Sequence, residues 1–422
     1  KVIFRQLGNE YEEAMYIAEE INEVVKKGKY SYNDIACLYR TNAQSRVFEE
    51  KFMRENIPYK IIGGQNFYQR KEIKDLIAYL KTVDNGKDDV AVKRIINVPK
   101  RGIGATTINK IQTFADANNI SFYDALLNNN AMEILGRSAT KVKPFVDFIQ
   151  RLRAENEYGK ISDLMEIILK DTGYVSELEL EDTDEARGRI ENINEFFSKI
   201  VDFEEKHEKP ILSEFLEEVA LVAEIDNLDD SKNYVVLMTI HSAKGLEFPK
   251  IFLCGMEDGV FPSYMTISSD DKTEVEEERR LSYVAITRAM DSLTITCAKM
   301  RMLRGETQYG KVSRFIKEIP RDLLDTNVSA EKMSLKKGVL KPSSSSNAKP
   351  IFSAKPYETK QYKVTKEDNL EYGIGDTVKH IKFGIGQVIS ITEGGRDYEV
   401  TVDFITAGQK KMFASFAKLK KM

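Results

Sequence analysis

With 422 residues, 42% of them apolar and 31% charged, the chain has the length of roughly three domains at about 150 residues each. No apolar run approaches the roughly 18 residues of a membrane span, no secretory signal precedes the first helical stretch, and three cysteines, Cys37, Cys254 and Cys297, exclude an even disulfide framework and show no Cys/His metal spacing, so a cytoplasmic protein is expected. The net charge of −4 argues against a uniformly basic nucleic-acid coat but leaves room for a local groove.

The chain opens at Lys1 on an extended apolar stretch, Val2 to Phe4, which reads as the continuation of something larger. In "NEYEEAMYIAEEINEVVKKG" Ala14, Ala18, Ile21 and Val25 share one stripe and Gly28 ends it, predicting an amphipathic helix. "DIACLYR", Asp34 to Arg40, is a nearly continuous apolar strand of the type buried on both faces of a parallel sheet. "SRVFEEKFMREN" is helical, "PYKII" a strand and "EIKDLIAYLKTV" helical again, an alternation that implies a parallel α/β sheet. The strand signal fades near residue 88, and residues 105–231 read as successive amphipathic helices broken at Gly136, Gly159, Gly173 and Pro210. Strands return with "YVVLMTIHS", "KIFLCG" and "SLTITCAK", the last after a helix in "EVEEERRLSYVAITRAM". The simplest organisation is an α/β domain of residues 1–132 and 232–325 carrying a helical insertion, 133–231. A flexible linker, 326–369, contains "KPSSSSNAKP". The last part, 370–422, holds four short strands with Gly394-Gly395 as a hairpin turn, as in small Tudor-like or SH3-like β-barrels.

Three stretches carry chemistry. In "EEERRLSYVAITRAM" Leu281, Val284, Ala285 and Ala289 define a buried helix face that also carries Arg288. An arginine there needs an anion: a carboxylate in a structural pair, or a phosphate, which the guanidinium fork suits. Tyr39 and Arg40 close the first parallel strand, where ligands of open α/β sheets gather. The ring is a base platform or a cover for the sheet edge, and the arginine a fixed charge. "MTIHSAKGLEFPKIFL" sets His241, Lys244 and Glu247 between two buried strands, as a working loop or a polar cap on the next turn. A metal site is not expected from three scattered histidines, His207, His241 and His380. "KRGIG" offers Lys100 and Arg101 beside glycines, either a phosphate-backbone contact or a plain turn before the helix at Thr106.

In order and spacing, "LYRTNAQSR", "FYQRKEIKDLIAYL", "MTIHSAKGLEFPKIFLCGMEDGVFPS" and "EEERRLSYVAITRAM" resemble the C-terminal motifs of superfamily 1 DNA helicases, the UvrD/Rep/PcrA group. The resemblance covers residues 1 to about 325, and the tether and barrel place the chain nearest the PcrA branch. It implies the second RecA-like motor domain of an ATP- and Mg²⁺-dependent 3′→5′ DNA helicase of repair and replication, in a bacterial, nucleoid-associated setting. Tyr39 would stack on adenine, Arg40 and Arg288 would be the catalytic contacts to the γ-phosphate, and Glu247 would reach the ribose. His241 and Lys244 would couple nucleotide state to single-stranded DNA. Lys170, Thr172 and Gly173, in "KDTG", would approach the duplex backbone. Implied partners are single-stranded and duplex DNA, an N-terminal helicase half, and RNA polymerase through the barrel. The alternative is a non-catalytic DNA- and RNA-polymerase-binding module.

That resemblance places the P-loop and the Mg²⁺-holding Asp-Glu on the other half. Within these 422 residues "GETQYGKVSRF" comes nearest to a P-loop, but it has Val312 where Mg²⁺ needs a hydroxyl. Gly305 and Gly310 then read as turn glycines and Ser313 as a helix N-cap. "DEAR", Asp184 to Arg187, imitates the acidic motif but lies in a charged stretch expected to be solvated helix. The chain alone is therefore expected to be inactive, with Mg²⁺ held mainly by the other half.

Overall fold

The computed structural model describes residues 1–225, 233–327, 372–380, 383–393, 398–404, 408–413 and 419–421. Residues 328–369 of the expected linker and the expected turn at Gly394-Gly395 lie outside the described residues. Two bodies are present, one within residues 1–338 and one within 339–422.

The first body opens with the expected alternation: β1 (Val2–Leu7), α1 (Glu10–Lys26), β2 (Ile35–Tyr39), α2 (Ser45–Arg54) and β3 (Tyr59–Ile62). Asn9 caps α1 by accepting from the Glu12 amide, and the helix buries Ala14, Ile17, Ala18 and Ile21. Helices follow: α3 (Lys71–Asp84), α4 (Asp89–Ile95), α5 (Ala105–Asn118), α6 (Phe122–Leu127), α7 (Asn129–Leu135), α8 (Ala139–Asn156), α9 (Ile161–Thr172), α10 (Tyr174–Glu181), α11 (Asp184–Lys206) and α12 (Leu212–Ile225). The sheet resumes with β4 (Val235–Thr239), β5 (Phe248–Leu253), the short β6 (Glu257–Asp258), α13 (Tyr264–Ser268), α14 (Lys272–Ile286) and β7 (Ala289–Ala298). A hairpin, β8 (Met300–Leu303) and β9 (Glu306–Tyr309), leads to β10 (Lys311–Val312), α15 (Arg314–Lys317) and β11 (Leu324–Thr326).

Seven strands form one parallel sheet in the order β11-β1-β7-β5-β2-β4-β3. β3 and β4 are neighbours, with Tyr59 opposite Val235, so the whole helical layer is inserted between two adjacent strands. Closure entropy rises only logarithmically with length, which makes such an insertion tolerable. One face of the sheet, with Phe4, Leu38, Met238, Ile251 and Ile295, packs with Ala285 of α14 and Phe315 of α15. The other face, with Cys37, Tyr39 and Phe252, packs with Ala14, Ile17 and Ile21 of α1 and Phe48 and Phe52 of α2. Burial on both sides is why β2 reads as an unbroken apolar run.

The helical layer has its own core, running from Phe67 through Leu76, Phe145 and Phe196 to Val219. Its apolar packing therefore includes α3 and α4, upstream of the boundary expected at residue 133, because the amphipathic face of α3 turns toward the helices. Sheet and helices meet across buried charge. Arg46 of α2 donates to Glu50 at 2.9 Å and to Glu195 of α11 at 2.8 Å. Glu50 also accepts from the Tyr68 hydroxyl at 2.7 Å and lies 3.6 Å from Lys199. Burial by itself would raise the Glu50 carboxyl, but Arg46 and Lys199 overcome it and hold the group at about 2.

The P-loop look-alike is a hairpin, a structure the sequence did not predict. Leu303 pairs with Glu306 around Arg304-Gly305. Gly305 has φ +74°, and a Cβ there would meet Phe197 of α11 at 2.6 Å, so the position demands glycine. The Ser313 side chain does cap α15, accepting from the Phe315 amide, while Val312 is buried.

The second body is a five-stranded antiparallel sheet: β12 (Thr377–His380), β13 (Gly384–Glu393), β14 (Tyr398–Phe404), β15 (Gly408–Phe413) and β16 (Lys420–Lys421), ordered β15-β14-β13-β12-β16. Val378, Val388, Val400, Val402 and Phe404 form its core. Among the described residues no helix is long and apolar enough to cross a membrane.

Candidate active site

Arg40 is the first residue beyond β2, at the carboxyl end of the sheet. Its amide and that of Thr41 both donate to the Gln44 Oε1, at 2.9 and 3.0 Å, which fixes the turn leaving the strand. The guanidinium lies against Glu278 of α14: Nε is 2.9 Å from Oε1 and 3.2 Å from Oε2, and Nη2 is 2.6 Å from Oε1. The Glu278 carboxylate is only 7% exposed, whereas the arginine is 26% exposed. The His241 imidazole is held below its ordinary range by partial desolvation and by Arg40, against the opposing pull of Glu278 and Glu277. A further carboxylate, Glu191 of α11, is raised by desolvation and lowered by Arg40 and the Thr41 side chain.

Tyr39 points the other way. It is 0% exposed, its ring parallel to Phe48 at 6.4 Å, and its hydroxyl has no hydrogen-bond partner among the described residues. Burial, reinforced by Glu49, pushes that hydroxyl well above its ordinary value. In this structure the ring is part of the core and shows no face to a base.

Helical spacing puts Arg288 on the apolar face of a helix; the structure places it beyond the helix end. α14 stops at Ile286, and Arg288 occupies the turn before β7, at the amino end of the sheet. Its side chain folds back: Nε donates to the Val284 carbonyl at 3.2 Å, Nη2 to the Thr287 hydroxyl at 3.2 Å and Nη1 to the Leu246 carbonyl at 3.3 Å. Nη1 also stands 3.7 Å from Glu247, a loose pair with an exposed carboxylate. These bonds join the end of α14 to the segment after β4, in which His241 and Lys244 are exposed. Glu278 and Val284 are six residues apart, about 9 Å along a helix. The two arginines therefore contact one helix at its middle and at its end.

The remaining candidates sit in the helical layer. Lys100 is exposed. Arg101 is not a free cation: Nη1 reaches the carbonyls of Ile95, Ile96, Val98 and Pro99 at 2.9–3.4 Å, and Nη2 reaches the Tyr79 hydroxyl at 2.5 Å. Its guanidinium, 5.3 Å from the Phe145 ring, ties down the loop in which it lies. Lys170 is exposed at the end of α9. Thr172 donates back to the Ile168 carbonyl at 2.6 Å, and Gly173 has φ +70° with open space around its Cα. These residues bond within their own layer and do not converge with Arg40 or Arg288. Asp184 and Glu185 of "DEAR" are exposed in the first turn of α11, as a solvated helix start requires.

Among the described residues no group of three or more His, Cys, Asp or Glu is arranged to hold a metal ion. Two residues escape a reading of the sequence. Gln44 carries a signal, the capping spacing Thr41-x-x-Gln44. Glu278 carries none, since its partner is 238 positions away.

A family model described as the UvrD-like helicase C-terminal domain matches residues 1–300. A second, the PcrA/UvrD tudor domain, matches residues 374–421. The chain is 44% identical over 423 aligned positions to the ATP-dependent DNA helicase PcrA of Staphylococcus epidermidis strain ATCC 12228, and 43% identical to that of Staphylococcus aureus strain Mu50. In both cases the alignment takes in 100% of this chain and 56% of the relative. The chain thus spans about half the length of the curated relatives it matches.

Proposed function

The chain belongs to the UvrD-like helicase family through its C-terminal domain and carries that family's tudor domain, and from this premise we propose that it is the C-terminal part of an ATP-dependent 3′→5′ DNA helicase. One observation carries the reading: Arg40, backed by a buried carboxylate, keeps the Nη1 edge of its guanidinium unbonded among the described residues, and Arg288 is anchored to the same helix. In this reading a P-loop half grips the triphosphate and Mg²⁺, while Arg40 and Arg288 meet the γ-phosphate. As charge develops on the transferring phosphoryl group, fixed cations in a closed cleft stabilise it more than water does. Glu247, exposed beside Arg288, is placed to reach the ribose. His241 and Lys244 follow β4, and the charge of Arg40 felt by His241 supports a coupling between nucleotide and single strand. Lys100, Lys170, Thr172 and Gly173 are assigned to the duplex backbone. Arg101 is left out, its donors being engaged by the loop. Tyr39 supports the Arg40 turn from beneath; stacking on adenine would require its ring to leave Phe48. The tudor domain is assigned to a protein partner, RNA polymerase, and the setting to the bacterial cytoplasm and nucleoid in DNA repair and replication.

The test is DNA-stimulated ATP hydrolysis by this chain alone and by the complete enzyme that joins it to a P-loop half. We expect negligible turnover alone and robust turnover in the complete enzyme, where Arg288→Ala lowers kcat by about 10³-fold or more. Vigorous hydrolysis by the chain alone, or an unaffected Arg288→Ala enzyme, refutes the reading.

A further inference from the structure

We propose that Glu278 is a positioning residue for Arg40, holding the guanidinium so that its Nη1 edge is presented to the terminal phosphate of the bound nucleotide. The inference rests on the assignment of Arg40 above. A guanidinium has two bidentate edges, one formed by Nε and Nη2 and one by the two terminal nitrogens. Glu278 takes the first, with contacts of 2.6–3.2 Å, and among the described residues Nη1 makes no hydrogen bond. The geometry thus divides the side chain into an anchored edge and a working edge.

The backbone of Arg40 is already immobilised, because its amide and that of Thr41 share the Gln44 carbonyl oxygen. What remains adjustable is the side chain, and Glu278 restrains it through a bidentate contact. The carboxylate is well placed to act as an anchor. It is buried on a helix, it holds Arg40 as its ion-pair partner, and the neighbouring Ser282 and Ala285 fix its helix against the sheet. Leaving the arginine would strand a buried charge, so Arg40 stays with Glu278 when a phosphate arrives. Without Glu278 the cation has another carboxylate to turn to, Glu191 of α11, which feels the Arg40 charge. The arginine would then be drawn toward the helical layer.

The experiment compares Glu278→Ala, Glu278→Gln and Glu278→Asp with Arg40→Ala in the complete enzyme. It measures kcat for DNA-stimulated hydrolysis and the ratio of ATP to ADP affinity, using fluorescent nucleotides. Glu278→Ala should lower kcat by about 10- to 100-fold, the range expected when a supporting contact lets a reacting group drift. It should cut the ATP/ADP affinity ratio while leaving ADP affinity unchanged, since only ATP offers a γ-phosphate. Glu278→Asp, which retains the charge, should recover part of both. Glu278→Gln, nearly isosteric, keeps the measurement meaningful if Glu278→Ala fails to fold. Rates at or above wild type in the Gln and Ala variants would mean that the carboxylate restrains Arg40 rather than presenting it, and would overturn the proposal. An equal fall in ATP and ADP affinity would overturn it too, as a merely structural role. If Arg40→Ala itself retains activity, the assignment of Arg40 falls and this inference with it; if only Arg40→Ala is impaired, this inference alone falls.

Discussion

Glu50 offers a test of the buried charge between sheet and helices. In the folded chain its carboxyl sits at about 2, against an ordinary value of 4.5, because Arg46, Lys199 and the Tyr68 hydroxyl outweigh desolvation. A depressed carboxyl contributes stability above its unfolded pKa and loses it as pH falls toward the folded one. A depression of this size corresponds to about 3 kcal/mol at neutral pH, of which about 2 kcal/mol is lost by pH 3. Glu50→Gln removes the titration and leaves Arg46 with Glu195 alone. The assay is urea unfolding followed by far-ultraviolet circular dichroism, in which the helices of residues 1–338 dominate the signal. The destabilisation caused by Glu50→Gln should be large at pH 7 and shrink by about 2 kcal/mol at pH 3. A difference that stays constant across this window would refute the assignment of the acid-sensitive stability to Glu50.

Other outcomes follow from the same geometry. Gly305→Ala places a Cβ 2.6 Å from Phe197 at φ +74°, and should destabilise the first body by about 2–4 kcal/mol in the same unfolding assay. Arg101→Ala should weaken the fold by about 1–3 kcal/mol, because four loop carbonyls and the Tyr79 hydroxyl lose a donor, while the salt dependence of DNA binding is unchanged. Lys100→Ala should do the reverse, leaving the unfolding midpoint in place and reducing the logarithmic salt slope of DNA binding by about one. A lowered slope in Arg101→Ala would show that its guanidinium leaves the loop for DNA.

The α/β alternation, the helical layer between β3 and β4, and the family were legible because each rests on local periodicity or on long contiguous motifs. So was the disqualification of Gly305–Val312 as a P-loop, since a missing hydroxyl is a property of one position. The hairpin that actually stands there was not legible. Its strand β9 is exposed along its length, so it lacks the alternation that marks a strand. The upstream limit of the helical core was hidden for a related reason: α3 shows an apolar face, but periodicity does not say which layer that face meets.

The site divides along the same line. That Arg40 ends an apolar strand, and that Arg288, Glu247, His241 and Lys244 belong to the motifs around neighbouring strands, is written in the order of residues. The side to which Tyr39 turns is not, because a strand buried on both faces carries no two-residue alternation to orient it. The ring's place against Phe48 was decided by α2. Likewise, helical spacing ran through Arg288 without revealing that pairing of Ala289 with Phe248 would end α14 early and send the arginine to the opposite end of the sheet. The Arg40–Glu278 pair lies furthest from any local signal. Local chemistry supplied a cation and a carboxylate 238 residues apart, and only the packing of α14 against the sheet brought them within bonding distance.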